Sequence, residues 1–135
     1  MISCKLISHK VTDLLVVVHL DGQEQLQLTF ASPFSVRYTA DNKHCCATLE
    51  QSAAMKDAPN KFHISLKIEG FFDLDGVQSE EDRKEVHVQC YRFLFPYAQM
   101  LIEQMSVNAG LPPLRVPPLN MTVDSVSFSN NSPNA

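Results

Sequence analysis

The hydrophobic pattern of this chain changes period at Ser79, and that change decides the class of fold. Before Ser79, apolar and polar residues alternate with a period of two in several stretches, as in strands with one buried face. After Ser79 and as far as Gly110, apolar residues recur three and four positions apart, as on an amphipathic helix. Strands followed by a long helix predict an α+β fold.

Length and charge narrow the function classes. A chain of 135 residues favours one domain with its own core. The 11 basic and 15 acidic side chains give a net charge of -4, which provides no basic surface for nucleic acid. The longest apolar run, residues 14–18, is too short to span a membrane, and the first residues lack the pattern of a signal peptide. We therefore expect a cytoplasmic protein whose 4 cysteines are reduced thiols.

A β-branched run predicts a strand at residues 14–20, and alternation predicts strands at residues 25–30, 34–38, 45–50 and 62–74. Asp21-Gly22 is a hairpin signal between the first two of these strands, and further turns are expected at residues 41–43, 57–60 and 75–76. Gly70, inside the last strand, favours a bulge or a close backbone approach. Phe71 interrupts the pattern, because it places an aromatic ring on the polar face.

The helical region begins with a capping signature, Ser79 followed by three acidic residues. We expect the helix in two pieces, with a break between Cys90 and Arg92, because the residues before it are not strong helix formers. The second piece would run from about Phe93 to Ala109, with Pro96 in its first turn and Gly110 as a left-handed cap.

This helix carries two apolar stripes where packing on one sheet requires only one. The first consists of Leu94, Ala98, Leu101 and Met105 with Ile102 beside it, and the second of Phe93, Tyr97, Met100 and Val107. We expect a partner subunit to cover the second stripe. The candidate residues of that oligomer interface are Phe93, Tyr97, Met100, Leu101 and Met105.

After Gly110 comes a proline-rich segment, residues 111–121, which we name the strap. Its four prolines, Pro112, Pro113, Pro117 and Pro118, exclude a helix or a central strand and predict an extended, polyproline-like conformation pinned by leucines. Residues 122–128 alternate like a strand, and the polar residues after them predict a frayed end.

Sites for chemistry are weakly indicated. Cys90 follows His87 by three positions, a spacing that is compatible with a thiol enzyme. A half-buried thiol beside a surface histidine is the more ordinary interpretation. His44-Cys45-Cys46 invites a metal site, yet consecutive side chains of a strand point to opposite faces. The acidic residues at 73–82 lack the ligand ladder of a calcium loop, and the four glycines are isolated. We predict no catalytic residue, no metal and no cofactor.

Surplus apolar surface is the remaining signal, and the residues leave two interpretations open. It can serve packing between identical subunits alone, or part of it can form a groove for extended, apolar polypeptide. Aromatic and methionine side chains suit binding of many sequences, because they adapt to different partners.

Two motifs carry a resemblance to a known family. Leu-Phe-Pro-Tyr-Ala at 94–98 and Leu-Pro-Pro-Leu-Arg-Val-Pro-Pro-Leu-Asn at 111–120, with Glu-Gly-Phe-Phe-Asp-Leu-Asp-Gly at 69–76, resemble the hallmark stretch of SecB, the protein-export chaperone. The resemblance implies a four-stranded antiparallel sheet carrying one long helix, and a dimer of dimers. It also implies a holdase that keeps non-native chains unfolded without ATP and hands preproteins to the SecA motor.

The resemblance implies site residues as well. A client groove lined by the helix and the strap would involve Phe95, Tyr97, Leu111, Leu114, Val116 and Leu119. Glu69 and Asp73 lie on a polar sheet face suited to the motor. The SecB-like domain would be residues 1–121, followed by a tail, residues 122–135.

This chain departs from the family pattern in several places. Gln99 and Met100 stand where the family usually has Arg and Glu, Met121 replaces a Phe, and the second helix after the strap is missing from the pattern. Three alternatives stay open: a SecB-like chaperone dedicated to one partner such as an antitoxin, a specific adaptor, and a thiol enzyme at Cys90.

Overall fold

The structure is a computed structural model that describes residues 2–20, 27–123 and 126. Its elements are β1 (Ser3–Val18), β2 (Leu28–Ala31), β3 (Phe34–Tyr38), β4 (His44–Met55), β5 (Phe62–Asp75) and α1 (Glu80–Asn108). The helix packs on one face of an antiparallel sheet, so the α+β prediction is confirmed.

The sheet has the order β1-β5-β4-β2, and β3 pairs with the same edge of β4 as β2 does. β2 lies opposite residues 52–55 of β4 and β3 opposite residues 45–49, so the two short strands together form one interrupted edge. At the interruption the Glu50 amide donates to the Pro33 carbonyl over 2.9 Å. The sheet is therefore four strands wide, as the family resemblance implies.

The predicted hairpin between the first two strands is wrong. β1 pairs with β5 over its whole length, and β2 pairs with β4 at the other side of the sheet. Asp21 and Gly22 themselves lie outside the described residues. Alternation tells which face of a strand is buried but not which strand pairs with it, and β5 offers β1 a much longer partner than β2 does.

The first strand begins eleven residues before its predicted start at Leu14, because two β-bulges conceal its alternation. The register skips one residue at Ile7 and another at Thr12. Each bulge moves the helix-facing set by one position, from residues 4 and 6 to 9 and 11, and then to 14, 16 and 18. The predicted fourth strand is likewise too short, since β4 extends to Met55.

The core lies between α1 and the faces of β4 and β5 that point toward the helix. Along both strands, buried residues alternate with partly exposed ones. Gly70 lies where the helix crosses β5. A Cβ atom on Gly70 would lie 2.7 Å from Leu94 Cδ2 and 2.9 Å from Phe72 Cε1, and both of these side chains are fully buried. The predicted close approach at Gly70 is confirmed.

The helix begins as predicted, with a complete capping box. The Ser79 hydroxyl accepts from the Asp82 amide over 3.1 Å, and the Asp82 carboxylate accepts from the Ser79 amide over 3.2 Å. Gly110, with φ of 85°, follows the helix in the left-handed region. No helix in the described part of the chain is long and apolar enough to cross a membrane.

The predicted break between Cys90 and Arg92 is wrong, because α1 is continuous for 29 residues. Burial of Cys90, Tyr91 and Leu94 holds the backbone on the sheet through that segment. Pro96 lies inside the helix and removes one hydrogen bond to the carbonyl of Arg92. Both residues are exposed, so water can satisfy that carbonyl.

Beyond the helix, the strap is extended, as predicted. The strand predicted over residues 122–128 is not formed at Thr122, Val123 or Val126, and the Val126 amide instead donates to the Val123 carbonyl over 3.3 Å. The other residues of that segment lie outside the described part of the chain.

Gly70→Ala is expected to lower the free energy of unfolding by about 1–3 kcal/mol, because the added methyl group overlaps Leu94 and Phe72. Ser65→Ala, on the outward face of the same strand, is the matched control. Urea unfolding of both variants provides the measurement. Equal stability of the two would show that the helix does not depend on this close approach.

Gln51→Met is expected to raise the free energy of unfolding by about 1–2 kcal/mol. Gln51 is fully buried, and neither atom of its amide group has a hydrogen-bond partner. Removing an unpaired buried amide relieves its desolvation cost. Gln78→Met, at an exposed position, controls for the change of side chain. Destabilisation by Gln51→Met in thermal or urea unfolding would contradict this prediction.

Candidate functional site

The strap returns along α1 in the direction opposite to the helix, and side chains of the helix hold its backbone. The Leu114 amide donates to Ser106 Oγ over 2.9 Å, and the Leu119 amide donates to the Tyr91 hydroxyl over 2.7 Å. Between these two contacts lies Gln99. An extended segment beside a helix is thus fixed without a backbone ladder.

Gln99 holds the middle of the strap with both ends of its amide. Its Nε2 donates to the Leu114 carbonyl and its Oε1 accepts from the Val116 amide, each over 3.1 Å. Arg115, on the same segment, pairs with Glu103 at 3.0 Å. In the sequence, Gln99 stands out only as a departure from the family pattern. The signal that could have indicated its role is the side-chain amide itself. Such a group can donate to one backbone carbonyl and accept from one backbone amide of an extended segment.

The predicted client-binding residues divide into anchors and exposed contacts. Val116 is 1% exposed and belongs to the core, so it supports the strap and offers no surface. Phe95, Leu111 and Leu114 are half-buried against the core, and Leu119 is 40% exposed. These five residues lie on the strap side of the helix.

Tyr97 lies elsewhere. Two residues after Phe95, it is rotated about 200° around the helix axis. Its ring stacks on His9 of β1, with centroids 4.2 Å apart. The structure therefore separates Tyr97 from the other predicted client-binding residues and groups it with the second stripe.

The second stripe is exposed, with Met100 50% and Val107 51% accessible and Phe93 and Tyr97 at similar levels. Leu101 and Met105, also predicted at the oligomer interface, are half-buried against the core of their own chain. On the helix side of the sheet, β1 adds the exposed side chains of Val11, Leu14 and Val16, while Leu15 is exposed on the outward face and Ile7 at the first bulge. One helix is too narrow to cover so long an edge strand.

A cleft of about 550 Å³ lies between the end of the helix and the start of the strap. Its lining includes Val107 of the second stripe and Pro113 of the strap, together with Glu103, Gln104 and Asn108. The cleft therefore connects the exposed stripe with the strap side of the helix.

The outer face of the sheet is mixed in charge. Glu69 lies 3.9 Å from Arg37, and Asp73 lies 2.8 Å from His44. Phe71, exposed on this face as predicted, is covered in part by the Lys10 ammonium group at 5.6 Å. The two candidate carboxylates of the motor-docking face thus have basic partners in the chain itself.

The thiol and metal alternatives find little support. The Cys90 thiol is fully buried, and hydrogen bonding to the Cys4 and Cys45 thiols together with burial raises its pKa far above the usual range, so it does not suit attack on an external substrate. Cys45 points inward to Cys90, whereas Cys46 points outward to Glu69. Among the described residues, no group of three or more potential ligands could hold a metal ion.

Comparisons with known proteins agree with this geometry. The family described as preprotein translocase subunit SecB matches residues 17–123. The protein-export protein SecB of Caulobacter vibrioides is 31% identical over 67 residues, a match that spans 50% of this chain and 41% of that protein. An uncharacterized protein of Methanocaldococcus jannaschii is 27% identical to this chain, in a match that covers 75% of this chain and 67% of that protein.

Among solved structures, the SecB-like chaperone of Mycobacterium tuberculosis in complex with a ChAD peptide from the HigA1 antitoxin has the same fold. The TM-score is 0.66 and the identity 15%, with 87% of this chain and 88% of that chain covered. Because the family match extends from the end of β1 through the whole strap, this chain belongs to the SecB family.

Proposed function

We propose that this protein is a chaperone that holds non-native polypeptides without ATP and without covalent chemistry. The observation that carries the proposal is apolar surface left exposed on the helix, on β1 and at Leu119, in a chain of the SecB family. A patch of this kind on a small domain is typical of a binding surface. The place of action that fits such a role is the cytoplasm.

Client capture would use the strap side of the helix. Leu119 is exposed there, and Phe95, Leu111 and Leu114 each present part of an apolar side chain. An extended client segment would bury these side chains at roughly 25 cal/mol for each Å² removed from water. Because apolar burial depends little on sequence, many clients would bind, and binding would persist at raised salt.

Self-association is the second part of the proposal. A second copy would cover the stripe of Phe93, Tyr97, Met100 and Val107 and the neighbouring edge of β1. Among the described residues, this long strand is paired on one side only, and such an edge ordinarily has to be protected from uncontrolled pairing. A dimer, or a dimer of dimers, would protect it.

A narrower chaperone function is the second candidate. The structural neighbour from Mycobacterium tuberculosis is bound to a peptide from an antitoxin. A chaperone dedicated to one antitoxin would use the same strap side of the helix with higher selectivity. Transfer of clients to a SecA motor is a further proposal, and docking at Glu69 and Asp73 would require exchange of their pairs with Arg37 and His44.

Stoichiometric suppression of aggregation is expected when the protein is mixed with a chemically denatured client diluted from urea, followed by turbidity. Leu119→Ser should weaken client binding roughly five- to tenfold, since it removes exposed apolar area. Asn120→Ser, at the neighbouring exposed position, is the control. Normal aggregation at equimolar chaperone would refute the holdase proposal.

The breadth of client binding separates the two candidates. Several unrelated denatured clients should bind with dissociation constants within about tenfold of one another if apolar burial dominates. Sizing chromatography of each mixture would measure complex formation. Binding of a single antitoxin-type peptide with failure of all other clients would establish the dedicated chaperone instead.

Light scattering should give a solution mass of at least two chains. Met100→Lys in combination with Val107→Lys is expected to lower that mass, because two charges in an apolar interface are costly to bury. Asn60→Lys, in the exposed turn between β4 and β5, should leave the mass unchanged. A monomeric unsubstituted chain would refute self-association through the stripe.

A further inference from the structure

Three thiols meet between the sheet and the helix. Cys90 Sγ of α1 lies 3.8 Å from Cys4 Sγ of β1 and 3.8 Å from Cys45 Sγ of β4. All four cysteines are free, and Cys46 points to the other face of the sheet, toward Glu69. The client-binding surface and the exposed stripe use none of these sulfurs.

The three thiols differ in access to solvent and in acidity. Cys4 is half-buried near the start of the edge strand, whereas Cys45 and Cys90 are buried. The hydrogen bond from Cys90 lowers the pKa of the Cys4 thiol, although partial burial works in the opposite direction. Cys4 is therefore the thiol of this cluster that a small reagent can reach and whose ionisation the hydrogen bond from Cys90 favours, and reactivity depends on both properties.

We propose that Cys4 is a site of thiol–disulfide exchange and that Cys90 converts the modified Cys4 into a reversible Cys4–Cys90 disulfide that joins β1 to α1. The reagent is a low-molecular-weight disulfide. The Cys4 thiolate attacks one of its sulfurs, a mixed disulfide forms, and one thiolate of the reagent leaves.

In the second step Cys90 loses its proton to the released thiolate or to water and attacks the Cys4 sulfur. The bond from Cys4 to the reagent breaks, and the second reagent thiolate leaves and is protonated. Two electrons pass from the cysteine pair to the reagent, which ends as two thiols. A dithiol reverses the reaction by the same exchange.

The geometry favours Cys90 as the resolving thiol. The two sulfurs need to approach by about 2 Å to reach the disulfide bond length. Once Cys4 carries the reagent, its sulfur is no longer the thiolate that accepts a hydrogen bond from the Cys90 thiol. One cause of the raised pKa of Cys90 then disappears. Cys45 Sγ is equally close to Cys90 Sγ. Because Cys45 is buried, however, the first attack on the reagent comes from Cys4.

The bond would close a loop that runs from the first strand to the middle of the helix. A link across so many residues restricts the unfolded chain strongly. The oxidised protein should unfold at a urea concentration roughly 1–2 M higher than the reduced protein. Oxidation would thus hold the edge strand on the helix without occupying any of the proposed binding surfaces.

The full chain, incubated with oxidised glutathione and then alkylated, should yield a Cys4–Cys90 linked peptide after non-reducing digestion and mass spectrometry. Cys90→Ser should accumulate glutathione on Cys4, since the resolving thiol is gone. Cys4→Ser should give neither product. Cys46→Ser, which changes a thiol on the opposite face, should behave like the unsubstituted protein.

Mapping of the unsubstituted protein decides the matter even if a variant fails to fold. Absence of the Cys4–Cys90 peptide, a Cys45–Cys90 link in its place, or modification confined to Cys46 would overturn the proposal. An oxidised protein whose urea midpoint equals that of the reduced protein would overturn the structural consequence.

Discussion

The helix α1 lies in direct contact with β5, and this contact positions the other parts of the structure. Gly70 lets the Leu94 side chain lie directly against the strand backbone, and the neighbouring residues of both elements are fully buried there. Because this contact holds the helix across the middle of the sheet, it also places Cys90 between β1 and β4 and presents Gln99 to the strap. A helix farther from the sheet would position neither group.

One helix on a four-strand-wide sheet leaves apolar surface uncovered. The helix buries the inward faces of β4 and β5 but leaves Leu14, on the helix side of β1, 59% exposed. The opposite flank of the helix is apolar as well. The uncovered side of β1 and the uncovered flank of the helix are therefore adjacent. A partner that binds one of these surfaces would also contact the edge of the other.

The strap shows how a helix can bind an extended chain by its backbone. Ser106, Gln99 and Tyr91 contact main-chain groups of the strap, so any residue other than proline at the donating positions can make these contacts. Val116 then anchors the segment in the core. Gln51 contrasts with Gln99, since it carries the same amide group and is buried without a partner.

Local sequence patterns predict four features correctly: the strands with one buried face, the helix cap at Ser79, the extended strap and the second apolar stripe. Each follows from local period, capping or proline content, which act within a few residues of the chain. The sequence also supported a family resemblance through two short motifs. The positions of Phe71 and Gly70 are predictable for the same reason, because each breaks a local pattern.

Strand pairing, the start of β1 and the attachment of the strap depend on contacts between distant residues, which no local pattern reveals. Pairing of β1 with β5 is a choice between distant segments, and two bulges conceal the alternation of β1. The unbroken helix at Cys90 results from burial against the sheet, which outweighs weak local propensity. Tyr97 lies apart from Phe95 although the two are close in sequence, and it also lies apart from Leu119. Cys4 lies beside Cys90 although the two are distant in sequence. Both arrangements result from tertiary packing, which separation along the chain does not predict.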